Sequence, residues 1–155
     1  MQAIMESYGD MLYRMCFVML RNSYDAEDAV QETLMKYITK KPNFANEEHR
    51  KAWLLRVANN ICKDLLRYIS RHNHLDIDEL QICETEQDKE ILQQVMRLPP
   101  KYKAVIMLHY IEGYSVRETA EILKLNESAV KKQLQRGREL LKLELGGDLQ
   151  CVKMN

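Results

Sequence analysis

The spacing of apolar residues constrains the fold of this chain more than any other feature of its sequence. Apolar side chains recur with the 3.6-residue period of an α-helix, and no segment alternates convincingly in the manner of a β-strand. The 155 residues include five Gly and three Pro, too few for the many turns of a sandwich or barrel. Because 46% of the residues are apolar, packed cores can form. We therefore predict an all-α fold made of two small helical domains.

Turn-forming residues divide this pattern into helices. The first half of the chain contains three predicted helices, at about residues 3–20, 25–39 and 50–70, with a loop over 40–49. In the second half, a helix begins at the Pro pair 99–100 and ends before Gly113, which are favoured positions for these residues. Two capping signals follow: a capping box of Ser115 and Glu118, and then Asn126 or Ser128 at the start of the last helix.

The formal net charge of zero hides an uneven distribution of charge. Residues 1–72 carry +2, residues 73–98 carry −5 and residues 99–155 carry +3. The acidic stretch predicts a linker that becomes helical toward its end. We expect four segments: a first domain over 1–72, an acidic linker over 73–95, a second domain over 96–145 and a C-terminal tail over 146–155.

The last helix has an apolar stripe and an opposite polar face. Val130, Leu134, Gly137 and Leu141 form the stripe, and the polar side carries Ser128, Lys131, Lys132, Gln135 and Arg136. These polar residue types contact phosphates and base edges in the DNA major groove, although a solvated charged face has the same composition. The capping box, the three-residue turn and the small Ala120 favour a helix-turn-helix.

Two earlier helices also carry polar faces, each of a different character. On the helix at 25–38 the outer residues are Asp28, Gln31, Glu32 and Met35, an acidic patch that suits a protein partner better than DNA. On the helix at 51–68 they are Trp53, Arg56, Asn60, Lys63, Asp64 and Arg67. An aromatic ring among basic residues is typical of sites that hold unstacked bases. Alternatively Trp53 packs under the preceding loop against Phe44, and both roles are compatible.

Several classes of protein are disfavoured. The longest apolar run, "MCFVML" at 15–20, is too short for a transmembrane helix and too far from the N-terminus for a signal peptide. The four Cys are isolated from one another, as expected of reduced thiols in a cytoplasmic protein. His72, His74 and Cys83 do not complete a tetrahedral metal site, and no catalytic pattern or phosphate-binding Gly loop is present. We predict no catalytic residue, no metal and no cofactor.

Three segments, in this order and at this spacing, resemble the bacterial RNA polymerase sigma factors of the sigma-70 family, extracytoplasmic-function (ECF) type. They are "DAEDAVQETLMKYI", "AWLLRVANNICKDLLR" and "LPPKYKAVIMLHYIEGYSVRETAEILKLNESAVKKQLQRGRELL". The resemblance covers about residues 8–145, with the first two segments similar to the family's region 2 and the third to its region 4. It implies a factor that binds core RNA polymerase and directs promoter-specific initiation, without catalysis and without membrane insertion.

The resemblance also implies a role for each polar face. The β′ clamp helices of core polymerase would contact Asp28, Gln31, Glu32 and Met35. The melted −10 promoter element would contact Asn43, Phe44, Trp53, Arg56, Asn60, Lys63, Asp64 and Arg67. The duplex −35 element would contact Ser128, Lys131, Lys132, Gln135 and Arg136. The polymerase β flap and an anti-sigma factor are further implied partners. The alternative is a helix-turn-helix regulator that binds duplex DNA without polymerase, which would leave the acidic patch and the Trp53 face unexplained.

The chain departs from the family pattern at several positions. Lys124 replaces the usual Gly of the turn, where a left-handed backbone would cost about 1 kcal/mol. Gly137 replaces Ala and should weaken its helix by about 0.5–1 kcal/mol. Lys132 and Gln133 stand where relatives often have Ser and Arg, and Leu34 where they often have Phe. We expect the promoter preference to differ accordingly.

Overall fold

The computed structural model of the protein describes residues 2–72 and 86–145, which form two compact helical units. The first unit contains α1 (Gln2–Leu20), α2 (Ser23–Lys40) and α3 (Glu47–His72). The second contains α4 (Glu86–Met96), α5 (Pro100–Ile106), a π-helical turn (Met107–Ile111), α6 (Val116–Leu123) and α7 (Glu127–Leu145). No strand occurs within the described residues, and the predicted all-α class is confirmed.

The core of the first unit is centred on α1, which packs against both α2 and α3. All six residues of the apolar run at 15–20 are buried, because α1 is covered on two sides. From α2 the core receives Ala26, Ala29, Val30 and Leu34, and from α3 it receives Leu54, Leu55, Ala58, Ile61 and Cys62. Tyr37 of α2 and Val57 and Leu65 of α3, which share these apolar faces by helical spacing, are only half-buried.

Asparagine caps shift the predicted helix boundaries. The Asn22 side chain accepts a hydrogen bond from the Asp25 N–H at 2.9 Å, so α2 begins two residues earlier than expected. Likewise, Asn46 accepts from the His49 N–H at 2.9 Å, and α3 begins at Glu47. The loop predicted over 40–49 is consequently limited to residues 41–46. A side chain that satisfies an otherwise unpaired N–H group fixes the first turn of a helix.

The second unit starts within the predicted linker. Residues 86–95, assigned to the linker over 73–95, lie in α4, which packs against α5 and α7. The reason is an apolar face at i, i+3 and i+4, where Leu92, Val95 and Met96 are buried despite the acidic residues around them. The rest of the predicted linker (73–85) and the predicted tail (146–155) lie outside the described residues.

The helix predicted between the Pro pair and Gly113 changes type along its length. It begins with Pro100 as an α-helix and continues from Met107 as a π-helical turn, in which the Glu112 N–H donates to the Met107 carbonyl at 2.9 Å. Gly113 then adopts a φ of +80°, a value that glycine tolerates without strain. Short π-helical turns within helices are frequently found at functional sites. Here the turn directly precedes the helix-turn-helix.

The helix-turn-helix of α6 and α7 has the predicted capping box. The Glu118 N–H donates to Ser115 Oγ at 3.0 Å, and the Ser115 N–H donates to a Glu118 carboxylate oxygen at 3.0 Å. Lys124 ends α6 in the left-handed conformation, with φ 55° and ψ 45°, so the cost considered for a non-glycine residue at this turn applies. Asn126, rather than Ser128, caps α7 by accepting from the Ala129 N–H at 2.7 Å.

Candidate nucleic-acid and protein interfaces

The outer face of α2 is acidic and partly apolar. Asp28, Gln31, Glu32 and Met35 are all exposed, and 52% of Met35 is accessible to solvent. Tyr24, 77% exposed, and Ile38 extend this face at its two ends, because positions 24, 28, 31, 35 and 38 succeed one another in steps of three or four residues. The spacing was visible in the sequence, but Tyr24 and Ile38 were not included among the predicted contacts. Exposed apolar side chains in such a row are more than solubility requires.

Three aromatic rings meet where the loop at 41–46 joins α2 and α3. Phe44 stacks on Tyr37 with ring centroids 6.2 Å apart and planes 2° from parallel. Trp53 meets both rings edge-on, at 5.9 Å from Phe44 and 6.2 Å from Tyr37. The packing of Trp53 against Phe44 is therefore confirmed, and Tyr37 completes this aromatic cluster. All three rings are only half-buried, which leaves part of the cluster open to a ligand.

Charged residues hold Phe44 in this cluster. The Arg50 guanidinium lies 5.7 Å from the Phe44 ring centroid and donates to Glu47 Oε1 at 2.5 Å. The Tyr8 hydroxyl of α1 donates to the other carboxylate oxygen of Glu47. This hydrogen bond to a carboxylate raises the pKa of Tyr8 above its ordinary value, because it stabilises the protonated phenol. The loop is thus connected to α1 and α3 through one short network.

The rest of the predicted −10 surface follows α3 away from the aromatic cluster. Asn60, Lys63, Asp64 and Arg67 are exposed, Arg56 is half-buried, and Asn43 is exposed in the preceding loop. Arg67 pairs with Asp64 at 3.1 Å, and both side chains are largely in solvent, where such a pair contributes little to stability. These side chains therefore remain accessible to nucleic acid.

The predicted −35 residues lie on the accessible face of α7. Ser128, Lys131, Lys132, Gln135 and Arg136 are all exposed, whereas Val130, Leu134, Gly137 and Leu141 are buried. Glu139 lies within 3.4 Å of Arg136 and 3.3 Å of the Gln135 amide. The division of α7 into a buried stripe and a polar face is therefore confirmed, while its contacts with DNA remain a prediction.

Two side chains of the π-helical turn form contacts with neighbouring parts of the second unit. The sequence did not indicate these contacts. Arg138 of α7 donates to the Tyr110 hydroxyl at 2.8 Å, so this basic residue faces its own unit. His109 Nδ1 lies 2.7 Å from the Tyr114 carbonyl oxygen, just before the capping box of α6. Gly137 lies against α5, where a Cβ would be 3.2 Å from Ile106 Cγ1.

Other candidate sites gain no support. Within residues 2–72 and 86–145, no group of three or more His, Cys, Asp or Glu side chains is placed to hold a metal ion. His72 stacks on Tyr68, while His74 and Cys83 lie outside the described residues. Cys16 and Cys62 are buried, and neither forms a disulfide bond. Across the described ranges, no helix combines the length and the hydropathy needed to span a bilayer.

Each of the two units matches the model of a known protein family. Residues 4–72 match the family model for sigma-70 region 2, and residues 88–141 match that for sigma-70 region 4. The ECF RNA polymerase sigma factor SigW of Bacillus subtilis is 30% identical, over 92% of this chain and 87% of that protein. SigX of the same organism is 28% identical, over 91% of this chain and 81% of that protein.

Solved structures show the same fold. The sigma factor RpoE from Bartonella quintana, in complex with the anti-sigma factor NepR, matches with a TM-score of 0.79 at 21% identity, over 95% of this chain and 96% of that one. CnrH in complex with the cytosolic domain of CnrY matches with a TM-score of 0.69 at 23% identity, over 95% and 88%. The family itself is shown by the two sigma-70 regions and by the 30% identity to SigW: the chain belongs to the ECF-type sigma factors, which are not enzymes but initiation factors that direct RNA polymerase to promoters.

Proposed function

We propose that the first unit captures the −10 element as a melted single strand and that the second unit reads the −35 element as duplex DNA. The observation that carries this proposal is the half-exposed aromatic cluster of Tyr37, Phe44 and Trp53 at the start of the polar face of α3. We assign these roles to the predicted segments 1–72 and 96–145, the second extended at its start by α4, with the tail over 146–155 outside both.

Opening the DNA strands costs free energy, and stacking of a base on the aromatic cluster would offset part of this cost. Flipping a base out of a duplex costs a few kcal/mol. Stacking that base on a protein aromatic ring returns about 1–3 kcal/mol. Because Phe44 is already held by Tyr37 and Arg50, little conformational entropy is lost when a base arrives. Asn43 and the exposed residues of α3 would then hold the following nucleotides: Arg56, Asn60, Lys63, Asp64 and Arg67.

Recognition of the −35 element would use the first half of α7. In helix-turn-helix proteins the N-terminal part of the second helix lies in the major groove. Its exposed residues here supply hydroxyl, amide, ammonium and guanidinium donors: Ser128, Lys131, Lys132, Gln135 and Arg136. Lys132 and Gln133 depart from the family pattern, so we expect the preferred −35 sequence to differ from that of relatives.

Binding of core polymerase would use the outer face of α2. Its acidic side chains disfavour DNA, and its exposed apolar residues favour a protein. We assign the β′ clamp helices to Asp28, Gln31, Glu32 and Met35, and the β flap to the second unit. RpoE was solved with the anti-sigma factor NepR bound, so an anti-sigma factor is a further candidate partner for this chain. A regulator that acts without polymerase is not favoured, because both sigma-70 regions match.

The test is run-off transcription with purified core polymerase on a library of genomic promoter fragments. Wild-type protein should direct initiation at a discrete set of promoters. Replacing Lys132 and Arg136 with Ala should reduce the use of promoters that have a −35 element, and Lys142→Ala, a basic exposed residue of the same helix, is the control. Equal use of every promoter by the two variants would refute the assignment of α7.

The polymerase contact has its own test. Asp28→Arg combined with Glu32→Arg should abolish co-purification with core polymerase, whereas replacing Asp10, an exposed acidic residue on α1, with Arg should not. Normal binding of core polymerase by the double variant, with its circular dichroism unchanged, would show that this face has been assigned wrongly.

A further inference from the structure

The hydroxyl of Tyr8 on α1 contacts the start of α3, and the roles proposed above do not use this contact. It donates a hydrogen bond to Glu47 Oε2, on the first residue of α3 and 39 residues further along the chain. Tyr8 is half-buried and is not among the residues assigned to DNA or to polymerase. The hydrogen bond to this carboxylate raises the pKa of Tyr8, so the phenol remains a donor at neutral pH.

Glu47 receives a hydrogen bond on each of its carboxylate oxygens. Tyr8 donates to Oε2, and Arg50 Nη1 donates to Oε1 at 2.5 Å. The Glu47 side chain is 67% exposed, and an ion pair in such a position restrains its two partners only weakly. The second donor comes from another helix and holds the carboxylate against rotation. How firmly the Arg50 guanidinium is held therefore depends on the Tyr8 hydroxyl.

The Arg50 guanidinium depends on Glu47 for its position. Its Nε is buried and forms no hydrogen bond within the part of the chain that the structure describes. Its Cζ lies 5.7 Å from the centroid of the Phe44 ring, within the range of a cation–π interaction. That interaction weakens when the guanidinium moves away from the ring. A continuous series of contacts therefore leads from Tyr8 through Glu47 and Arg50 to Phe44.

Phe44 benefits from this support because it lies in the loop at 41–46, outside the helices. A side chain on a loop populates several positions unless its neighbours hold it, and ordering it costs conformational entropy. Phe44 stacks on Tyr37, and Arg50 supplies a second restraint. A ring that is held before DNA arrives loses less entropy when a base stacks on it. The contact from α1 should therefore assist the capture of a base by the aromatic cluster.

We propose that Tyr8 is a positioning residue for the capture of the first unstacked base: through Glu47 and Arg50 it holds Phe44 in place before the strands open. The inference rests on the proposed role of the aromatic cluster in capturing the melted −10 element. Because Tyr8 acts through the loop and does not contact DNA, it contributes to strand opening and not to the initial binding of duplex promoter. The required group is the Tyr8 hydroxyl rather than its ring.

The experiment follows the fluorescence of 2-aminopurine in the −10 element at several concentrations of reconstituted holoenzyme. This series separates the affinity of initial binding from the rate constant of opening. Tyr8→Phe should slow opening about fivefold, the change in a rate constant that corresponds to about 1 kcal/mol for one lost hydrogen bond, and should leave the initial affinity unchanged. Ser7→Ala removes an exposed hydroxyl from the same turn of α1 and should change neither quantity.

The free protein provides a spectroscopic readout that does not require DNA. Trp53 meets the Phe44 ring edge-on at 5.9 Å, so its emission responds to the position of that ring. Tyr8→Phe should shift the Trp53 emission in the same direction as Phe44→Ala does, whereas Ser7→Ala should not shift it. Without denaturant the protein is folded, so the shift reports the arrangement of the rings and not the stability of the unit. An emission spectrum of Tyr8→Phe identical to that of the wild type would overturn the inference.

A double-mutant cycle tests the route from Tyr8 to the loop. Because Tyr8 acts through Glu47, Tyr8→Phe should slow opening no further in the Glu47→Ala background. Additive effects of the two changes, or weaker initial binding with an unchanged opening rate, would overturn the inference. Wild-type opening by Tyr8→Phe, while Trp53→Ala combined with Phe44→Ala slows opening, would overturn this inference alone. If the aromatic variant also opens the promoter at the wild-type rate, the −10 role of the cluster fails as well.

Discussion

Replacing Gly137 with Ala should fail to stabilise the second unit, although Ala is the better helix former. In the interior of an exposed helix this change raises the free energy of unfolding by about 0.5–1 kcal/mol. A Cβ at Gly137 would, however, lie 3.2 Å from Ile106 Cγ1 and 3.3 Å from its Cδ1, closer than ordinary van der Waals contact. Ile106 is only 1% exposed and packs in the core, so it cannot easily move away.

The two effects can be weighed against each other. Forcing one extra methyl group into a packed core costs about 1–3 kcal/mol. Subtracting the gain in helix propensity leaves an expected net loss of about 1 kcal/mol for Gly137→Ala. In the Ile106→Val background, which lacks Cδ1, the same change should cost less, with a coupling of about 0.5 kcal/mol or more.

Gly9 offers a matched control in the first unit. A Cβ there would meet Met5 Sδ at 2.8 Å, but Met5 is 43% exposed and its flexible side chain can swing into solvent. Gly9→Ala should therefore raise the free energy of unfolding by about 0.5–1 kcal/mol. The contrast between the two glycines depends on packing alone, since both lie within long helices.

Urea unfolding of the full chain distinguishes the two units. Trp53, the one Trp of the sequence, lies in the first unit, so its fluorescence follows that unit, whereas circular dichroism at 222 nm follows both. Gly137→Ala should lower the unfolding midpoint only in the dichroism signal, and Gly9→Ala should raise the midpoint seen by fluorescence. A gain of 0.5 kcal/mol or more from Gly137→Ala (about the propensity term alone) would refute the argument from close packing.

Three further variants test local features. Lys124→Gly should stabilise the second unit by about 0.5–1 kcal/mol by relieving the left-handed conformation, and Lys124→Ala should not; equal thermal midpoints for the two would contradict this. The hydrogen bonds from the Ser115 backbone and side chain lower the pKa of Glu118 in the folded state. The stabilisation from this carboxylate is therefore complete above its pKa in the unfolded chain, about 4.3, and is lost as the pH falls through its pKa in the folded protein. Glu118→Gln should therefore flatten the fall in thermal midpoint below about pH 4.3, and parallel curves for variant and wild type would count against the capping box. Phe44→Ala removes two aromatic pairs worth about 0.5–1.5 kcal/mol each and should lower the urea midpoint and shift the Trp53 emission; an unchanged spectrum would show that the rings do not interact in solution.

Helical periodicity was sufficient to predict most of the fold. The buried stripe of α7 follows from the spacing of Val130, Leu134 and Leu141 alone, because side chains three or four residues apart share one face of a helix. Side-chain caps limited the precision of the boundaries. Asn22 and Asn46 each add a short stretch to a helix, and an Asn in a sequence indicates a loop as readily as a cap.

Features that depend on contacts between distant residues were not predicted. Helical spacing places Tyr37 on the apolar face of α2, yet its ring also stacks on Phe44 across a loop. Arg138 belongs to a basic run in the sequence, but its hydrogen bond to Tyr110 turns it away from the predicted DNA face. Gly137 was interpreted as a weak point of its helix, whereas the close approach of Ile106 explains why no side chain is present. Each of these depends on where a second helix lies, information that a local pattern does not contain.

The most direct test of the proposed division of roles is the fluorescence of 2-aminopurine placed in the −10 element, measured as holoenzyme opens the promoter. Trp53→Ala combined with Phe44→Ala should leave promoter binding nearly intact and reduce the opening signal strongly. Replacing Lys132 and Arg136 with Ala should weaken binding but leave the signal per bound complex unchanged. Full opening by the aromatic variant, or loss of opening in bound complexes of the α7 variant, would contradict the account.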